Sequence, residues 1–384
     1  MLSFGNILIA LLFWLCVSGI IYTYAGYPLL IFVLAGFRKK SSFPAAPLPS
    51  VTLLIAAYNE ESAIETKIKN CLALDYPKDR IQILITTDGS SDNTPEIVKK
   101  YSTSGIELLH QPERRGKMAA INRAMDAVRG EIVLFSDANN NYLPDTITKM
   151  VTPFNDPKVG GVSGEKVIEK DDGNLGASEG AYWKYESFVK RQESRLGSCT
   201  SAAGEILAIR KSLYIAPPSH VINDDFYIAM QILRQGYRLL YAPNAKSIER
   251  VSPTAKDMAN QILPWNHPIL IWQIVSHKFL RPLVPFFMIG ALLGNLLAVV
   301  FPSRVNNFLL LSYPVGIILL GTQCVFYIIA FAGMQISERG KQTRLMNLFY
   351  LPTFLLNSNL AAMKGIVRFI SGGQTHLWEK IQRR

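Results

Sequence analysis

The residues with the clearest chemical potential are Ser136-Asp137-Ala138-Asn139, which directly follow the apolar run Ile132-Val133-Leu134-Phe135. An apolar run of this length between polar residues predicts a buried strand. Open α/β sheets bind ligands at the carboxyl ends of their strands, and Mg²⁺ is commonly held by one or two carboxylates together with substrate phosphates. A carboxylate two residues before an amide therefore predicts, at such a strand end, a site that holds a divalent cation against a diphosphate.

A second acidic group, Asn223-Asp224-Asp225, opens a predicted helix at Phe226–Gln235. Asn223 or Asp224 suits the N-cap of that helix, because a short oxygen-bearing side chain can accept a hydrogen bond from the first free amides. The adjacent carboxylate is then available for a different role. Facing an acceptor hydroxyl, it could act as a general base, which contributes roughly 10²–10⁴ in rate.

Two further clusters suit the rest of a nucleotide. We assign Asp88 to a ligand such as a base or ribose, and Asp92 and Thr94 to capping the helix that follows them. Arg114-Arg115-Gly116-Lys117 stand at a helix start, where cations and helix amides suit a diphosphate, although a solvated basic loop fits them equally well. No dinucleotide fingerprint or P-loop sequence is present, so neither explains the site.

The elements that must position these residues are predicted to form an α/β domain. Strand-like and helix-like segments alternate between Ser41 and about Lys278, without repeats or low-complexity segments. In order they are Val51–Ala57, Glu61–Leu74, Ile81–Thr86, Thr94–Tyr101, Ile106–Leu109, Lys117–Val128 and Glu131–Ser136. Such alternation predicts βαβ units and a mostly parallel sheet. Polar clusters follow the four strands, and they are Tyr58-Asn59-Glu60, Asp88–Asp92, Arg114–Lys117 and Asp137–Asn139. These four clusters converge at one sheet edge, whereas any single cluster would be an ordinary loop.

Apolar segments flank this domain. Residues 1–37 contain no Asp, Glu, Lys or Arg, and a membrane helix needs about 20 apolar residues, so we predict a retained anchor rather than a cleaved signal peptide. Residues 282–300 and 308–331 predict two more spans. Residues 346–362 are interrupted by Pro352 and polar residues, and a re-entrant or interfacial segment is the alternative to a further span.

Basic residues next to the predicted spans place the central domain in the cytosol by the positive-inside rule. We therefore predict a multi-pass protein of the inner (cytoplasmic) membrane; the basic tail would lie outside if the last stretch spans, and that conflict stays open. The net charge of +11 is assigned to topology and contact with anionic membrane lipid, not to nucleic acid. The four cysteines show no metal or disulfide spacing, as expected of a reduced compartment.

The order of these motifs resembles the family 2 glycosyltransferases, in particular the membrane-bound branch that includes cellulose, chitin and hyaluronan synthases and bacterial exopolysaccharide enzymes. The resemblance covers roughly residues 49–241. The matching motifs are Ala56-Ala57-Tyr58-Asn59-Glu60, Asp88-Gly89-Ser90-Ser91-Asp92, Arg115-Gly116-Lys117, Asp137-Ala138-Asn139 and Asp224-Asp225. It implies an α/β GT-A fold with a mixed, mostly parallel sheet, an inverting mechanism and a nucleotide-diphosphate sugar donor, commonly UDP-linked.

The resemblance also implies roles for individual residues. For the donor, Tyr58, Glu60 and Asp88 match nucleoside-binding positions. Lys117 and Arg115 match positions near the base or phosphates. Those for the metal, Mg²⁺ or Mn²⁺, are Asp137 and Asn139. Those for catalysis are Asp225, which matches the base, and its neighbour Asp224. Those on the acceptor side are Gly204, Glu205, Gln261 and Trp265.

Three positions depart from the family pattern. Thr87 stands where many members have an Asp, and Asn139 replaces the second carboxylate of the metal motif, which should lower metal affinity because a negative charge is lost. Pro264 replaces the arginine of the family's Gln-x-x-Arg-Trp motif, of which Gln261 and Trp265 remain. The missing arginine puts polymer handling in question.

The sequence therefore predicts a membrane-anchored glycosyltransferase of exopolysaccharide or cell-envelope glycan synthesis, which uses a saccharide or lipid-linked acceptor and has possible polysaccharide-assembly partners. The predicted domains are an anchor (1–37), a cytosolic GT-A domain (38–262), an interfacial segment (263–281) and a C-terminal membrane region of two to three spans with a basic tail (282–384). The alternatives are a single-transfer enzyme acting on a lipid-linked sugar and a degenerate, non-catalytic scaffold that binds nucleotide sugar.

Overall fold

The structure, a computed structural model, describes residues 4–39, 42–44, 46–168, 173–219, 221, 223–249, 264–337 and 346–371. The chain divides into two compact units. One comprises the described residues within Met1–Leu30 and Trp272–Gly372, and the other those within Ile31–Ile271. The second unit contains all the strands described below and every predicted site residue that the structure describes.

The second unit is built on one mixed sheet of eight strands in the described part of the chain. The strands are β1 (Val51–Ala57), β2 (Ile81–Asp88), β3 (Ile106–Gln111), β4 (Ile132–Asp137), β5 (Asn141–Tyr142), β6 (Val159–Ile168), β7 (Leu207–Arg210) and β8 (Arg238–Glu249). Their order is β3-β2-β1-β4-β7-β6-β8-β5. The first four strands of this order, β3, β2, β1 and β4, are parallel to one another. Strand β7 runs antiparallel to β4 and β6, and β5 runs antiparallel to β8. The predicted mixed, mostly parallel sheet is confirmed.

The α-helices, numbered through both units, connect and flank these strands. They are α1 (Phe4–Ile21), α2 (Tyr27–Gly36), α3 (Ile64–Leu72), α4 (Thr94–Lys99), α5 (Lys117–Met125), α6 (Thr146–Val151), α7 (Gly173–Leu196), α8 (Asp224–Arg234), α9 (Pro268–Ile274), α10 (Leu280–Val300), α11 (Val315–Ser337) and α12 (Met346–Ile370). Every residue of β1 is buried, as expected of a parallel strand covered on both faces.

Several predicted boundaries were wrong by a few residues. Helix α3 begins at Ile64 rather than Glu61, because the carbonyl of Glu60 accepts hydrogen bonds from Ala63 and Ile64 in a turn before the helix. Helices α4 and α5 end earlier than predicted, at Lys99 and Met125, and β2 and β3 run two residues further, to Asp88 and Gln111. The sheet therefore extends into the polar cluster at Asp88, which the sequence had placed in a loop.

Three helical segments, which lie mainly in the other unit, are long and apolar enough to cross a membrane, among the residues that the structure describes. They are Phe4–Gly36, Pro268–Val300 and Val315–Gln335. The last begins seven residues later than the predicted start at 308, after a short 3₁₀ turn at Phe308–Leu310. The stretch expected to be interrupted forms one continuous helix, α12, with Pro352 inside it. The basic tail and Gln261 lie outside the described residues.

Candidate active site

The register of the sheet brings three of the predicted polar clusters to one edge. Ala57 of β1 lies opposite Thr87 of β2, and Ala56 of β1 lies opposite Asp137 of β4. Tyr58, Asp88 and Asp137 are therefore neighbours at the carboxyl ends of three adjacent strands. A pocket at this edge is lined by five of the predicted residues, which are Lys117, Asp137, Gly204, Asp224 and Asp225.

Lys117 lies between two carboxylates in this pocket. Its Nζ is 3.1 Å from Asp137 Oδ1 and 3.1 Å from Asp224 Oδ2. Burial alone would lower the pKa of Lys117, but the two carboxylates outweigh it and hold that pKa above its ordinary value. The lysine therefore carries a full positive charge at neutral pH, placed where the metal-motif carboxylate meets the acidic pair.

The two adjacent carboxylates of α8, Asp224 and Asp225, have different partners. Asn223 is the N-cap, as the sequence suggested, because its side chain accepts a hydrogen bond from Phe226 N at 3.3 Å. Asp224 is buried and pairs with Lys117. Asp225 is half-buried at the pocket wall, where its Oδ2 accepts a hydrogen bond from Gly204 N at 3.1 Å. The Gly204 amide therefore fixes one oxygen of Asp225 in place.

Asp88 is more deeply built into the fold than the sequence suggested. It is 2% exposed, and its Oδ2 accepts hydrogen bonds from the backbone amides of Arg115 at 3.0 Å and Gly116 at 2.6 Å. Its Oδ1 has no hydrogen-bond partner in the part of the chain that the structure describes, and Arg123 Nη1 lies 3.9 Å away. Asp88 Oδ2 thus stabilises the turn before α5, and Oδ1 can still accept a hydrogen bond.

Tyr58 lies beside this turn. The guanidinium of Arg114 stacks over the Tyr58 ring, 4.0 Å from its centroid, a geometry that is attractive because the ring face is electronegative. Arg115 points elsewhere, since its guanidinium forms an ion pair with Glu113 and is 62% exposed. The basic cluster therefore divides into a surface residue (Arg115), a stacked residue (Arg114) and a pocket residue (Lys117).

Gly89 packs against the turn that contains Arg114, and its substitution tests the role of that turn. Its φ is +67°, and an added Cβ would lie 2.8 Å from Arg114 Cα and N. We expect Gly89→Ala to add the strain of a left-handed residue, about 1–3 kcal/mol, and to displace the Arg114 turn, so nucleotide affinity falls together with the melting temperature. Calorimetric titration with UDP and thermal unfolding would measure both.

Gly105→Ala is the matched control for this prediction. Gly105 also has a positive φ, +88°, but an added Cβ meets nothing within 4 Å. It should lose stability without losing UDP affinity. Equal losses of affinity in the two variants would contradict the specific role of the Arg114 turn.

The remaining predicted residues are placed as follows. Asp92 Oδ1 accepts a hydrogen bond from Thr94 N at 3.0 Å, although the N-cap position itself is Asn93, whose side chain makes no capping hydrogen bond. Thr94 does not cap; its hydroxyl accepts from Glu60 N at 2.8 Å and ties the first polar cluster to the second. Glu205 is buried, with Oε1 3.5 Å from Lys166 Nζ, so its carboxylate does not line the pocket. Trp265 is 74% exposed and does not line it either.

Sequence reasoning missed Lys67 and Asn140, which are buried next to the segment Ser136–Asn139. Lys67 belongs to the buried face of α3 with Ile64, Ile68 and Cys71, and it is 1% exposed. A lysine within an i, i+3, i+4, i+7 apolar stripe is the signal that could have found it, since lysine is almost never fully buried without a partner. Asn140 is completely buried and carried no comparable signal.

The donor set at the Asp137 cluster suits a divalent cation only with help from a ligand. The described residues contain no group of three or more His, Cys, Asp or Glu side chains that could hold a metal. Asp137 and Asn139 offer hard oxygen donors, the type that suits Mg²⁺ or Mn²⁺. Since Mg²⁺ is usually bound through one or two carboxylates plus substrate phosphates, these residues fit a metal that arrives with a diphosphate.

Comparison with known proteins identifies the fold of this chain and the family that its central segment resembles. The mannosyltransferase PcManGT from Pyrobaculum calidifontis, solved with GDP-Man and Mn²⁺, matches 94% of this chain and 100% of its own with a TM-score of 0.66 and 23% identity. The two chains therefore share the GT-A fold. The family model "Glycosyl transferase family 2" matches residues 52–216. Residues 52–216, less than half of the chain, therefore have the sequence pattern of family 2 of the glycosyltransferases.

Curated relatives come from staphylococci. The poly-beta-1,6-N-acetyl-D-glucosamine synthase of Staphylococcus aureus is 29% identical over 248 residues, which cover 62% of this chain and 60% of the relative. The synthase of the same name from Staphylococcus epidermidis is 26% identical over 249 residues, with the same coverage. The chain thus spans about three fifths of the length of these relatives.

Proposed function

We propose that this protein is a membrane-anchored, inverting glycosyltransferase that moves a sugar from a nucleotide-diphosphate sugar to a saccharide or lipid-linked acceptor during exopolysaccharide or cell-envelope glycan synthesis. The observation that carries the proposal is the charge arrangement of the pocket. Lys117 is held 3.1 Å from both Asp137 and Asp224, and Asp225 lines the same pocket. A cation and a separate carboxylate are what a diphosphate leaving group and a hydroxyl nucleophile require.

The reaction is a single displacement at the anomeric carbon. Asp225 takes the proton of the acceptor hydroxyl, the acceptor oxygen forms the new bond to that carbon, and the bond to the diphosphate oxygen breaks. The Gly204 amide orients Asp225 by its hydrogen bond to Oδ2. The base contributes roughly 10²–10⁴ in rate, and inversion follows because the acceptor attacks opposite the leaving group.

The diphosphate that departs carries the electron pair, and positive charge beside it lowers the barrier. Lys117 provides such a charge, and Asp224 keeps it in position. When bound at Asp137 and Asn139, Mg²⁺ or Mn²⁺ would add Lewis-acid stabilisation of the same oxygens. Asp88, whose Oδ1 has no hydrogen-bond partner among the described residues, and Tyr58 are proposed to bind the nucleoside.

The proposed location is the inner membrane with the sheet-containing unit in the cytosol. The apolar segment Phe4–Gly36 is followed directly by Arg38 and Lys39. Basic residues immediately beyond a membrane helix mark the cytoplasmic side. Nucleotide sugars would then reach the pocket from the cytosol, and membrane lipid would surround the three apolar segments.

A donor screen on membranes that contain the full chain tests this proposal. UDP-N-acetylglucosamine is the first donor to try, because the staphylococcal relatives are named for a polymer of that sugar. We expect release of UDP that depends on Mg²⁺ or Mn²⁺ and on acceptor. GDP-mannose and other donors give the comparison, and no nucleotide release with any donor would support the non-catalytic scaffold instead.

Product length separates the two enzymatic alternatives. Radiolabelled donor that enters long chains indicates polymer synthesis, whereas one added sugar on a lipid-linked acceptor indicates single transfer. Pro264, which replaces the family arginine, favours the single-transfer alternative because a proline lacks both the charge and the amide donor.

A further inference from the structure

We infer that Lys67 is a positioning residue that couples the metal-binding side of the pocket to the base, Asp225. The inference rests on the proposed function for the roles of Asp137 and Asp225. Lys67 itself does not line the pocket; it acts through buried hydrogen bonds beneath it. The connection runs from Lys67 through Asn140 and Glu205 to Gly204, and from there to Asp225.

The first link joins α3 to the segment that follows β4. Lys67 Nζ donates to Ser136 Oγ at 2.8 Å, to the Asn140 carbonyl at 2.9 Å and to Asn140 Oδ1 at 2.7 Å. Ser136 directly precedes Asp137, and Asn140 directly follows Asn139. The ammonium therefore binds the residues on both sides of the metal motif Asp137-Ala138-Asn139. Its Nζ also lies 4.4 Å from the ring centroid of Tyr142.

The second link joins that segment to the acceptor-side turn. Asn140 Nδ2 donates to the Glu205 carbonyl at 2.8 Å and to Ser247 Oγ at 2.7 Å. The hydroxyl of Tyr142 donates to the same carbonyl at 2.6 Å. Burial raises the pKa of Tyr142, so the hydroxyl keeps the proton that it donates. Lys67 and Asn140 thus determine the orientation of the peptide at Glu205.

The third link reaches the proposed base. Gly204, the residue before Glu205, donates its amide to Asp225 Oδ2 at 3.1 Å. An added Cβ at Gly204 would lie 3.3 Å from Asp225 Cβ, so the two residues are already in close contact. The Glu205 carbonyl and the Gly204 amide belong to one 3₁₀ turn, Gly204–Ile206, which the Ile206 N–Ala203 O hydrogen bond closes. A shift of this turn would therefore move the hydrogen bond that orients Asp225.

The buried ammonium of Lys67 is well suited to hold these two segments in place. Hydrogen bonds from a charged donor are shorter and stronger than neutral ones, and groups that orient metal ligands from behind are worth roughly 10–100-fold in metal affinity or activity. Asn70, on the same helix, exchanges two hydrogen bonds with the backbone of Tyr142, both 2.9 Å long. Asn70 anchors the far end of the segment but does not contact Asn140 or Glu205 through these bonds.

The test compares Lys67→Met with Ile68→Ala in the full chain in detergent. Methionine keeps the length of the lysine side chain and removes its donors. Ile68 is a fully buried neighbour on α3, so its truncation destabilises the same helix without breaking the hydrogen-bonded connection. Hydrogen exchange measured by mass spectrometry should increase in the peptides covering residues 136–142 and 203–207 of Lys67→Met, and not selectively in those of Ile68→Ala.

The second measurement uses UDP with MnCl₂ as the probe. Lys67→Met should bind Mn²⁺ in the presence of UDP roughly 10–100-fold more weakly than the wild type, with an altered electron paramagnetic resonance spectrum of the bound Mn²⁺. Ile68→Ala should keep the wild-type affinity and spectrum. If Lys67→Met does not fold, Asn140→Ser breaks the bonds to Glu205 and Ser247 and must show the same losses.

The possible failures are distinguishable. Wild-type membranes that release no nucleotide with any donor would refute the proposed function, while the exchange data alone would still decide whether Lys67 couples the two segments. Unchanged exchange at 203–207 in Lys67→Met would overturn the inference. A loss of Mn²⁺ affinity no larger than that of Ile68→Ala would overturn it too.

Discussion

Asp225→Asn is expected to lower the rate of sugar transfer by roughly 10²–10⁴-fold, the usual contribution of a general base, while nucleotide affinity stays close to that of the wild type. The substitution preserves shape, and the amide oxygen can still accept the hydrogen bond from Gly204 N, 3.1 Å away in the wild type. The substitution removes the ability to take a proton. It also removes one accepted backbone hydrogen bond, since Asp225 Oδ1 accepts from Phe226 N at 2.8 Å, but Phe226 N keeps the Asn223 side chain as a partner. Single-turnover transfer in membranes and calorimetric titration with UDP and Mn²⁺ would measure the two quantities.

Asp224→Asn is the matched control, because Asp224 is the adjacent carboxylate of the same helix. It pairs with Lys117, so its neutralisation should weaken nucleotide binding as well as transfer. The pair of variants therefore separates a residue that accepts the proton from one that positions a cation. Near-wild-type turnover of Asp225→Asn would show that another group is the base.

The second large effect concerns Asp137. We expect Asp137→Ala to weaken metal-dependent nucleotide binding on the order of 10²-fold or more, since metal stabilisation of phosphate charge is worth several kcal/mol. Lys117 would lose one of its two carboxylate partners at the same time, but it would keep Asp224. Titration of UDP with and without MnCl₂ would measure the change, and an unaltered metal dependence would refute the assignment of Asp137.

Asn139→Asp is the companion variant, with the opposite sign. It restores the second carboxylate that the family pattern carries, so metal affinity should increase because one negative charge is added beside the cation. Asn139→Ala should decrease it. If all three residues at position 139 give the same Mn²⁺ affinity, Asn139 is not a metal ligand.

The sequence predicted the frame of the site well, for a physical reason. Long apolar runs such as Ile132–Phe135 have few ways to be buried other than as central strands, and polar residues after them must lie at the sheet edge. The approximate positions of β1, β2 and β4 and the convergence of Asp137 with Lys117 followed from this pattern. Asp225 reached the same pocket, although its position depended on the resemblance to a family rather than on any local pattern.

Contacts between distant segments could not be predicted in the same way. Asp88 was expected to bind a ligand, and nothing in the sequence indicated that its Oδ2 also accepts hydrogen bonds from two backbone amides of a turn that is close only in three dimensions. Thr94 was expected to cap a helix, and it instead binds the backbone amide of Glu60. Lys67 was not singled out from the sequence, because its partners Ser136 and Asn140 are about 70 positions away. Local spacing carries no information about such pairs.

The position of Lys117 has a consequence for the order in which ligands enter. With its ammonium 3.1 Å from Asp137 Oδ1, Lys117 places a cation beside this carboxylate, and an incoming metal would have to share Asp137 with it. A bound diphosphate would attract the ammonium and so leave Asp137 more available to the metal. Metal and nucleotide would then strengthen each other's binding, and thermodynamic linkage requires the factor to be the same in both directions. The pocket would thus bind its metal mainly together with the donor diphosphate.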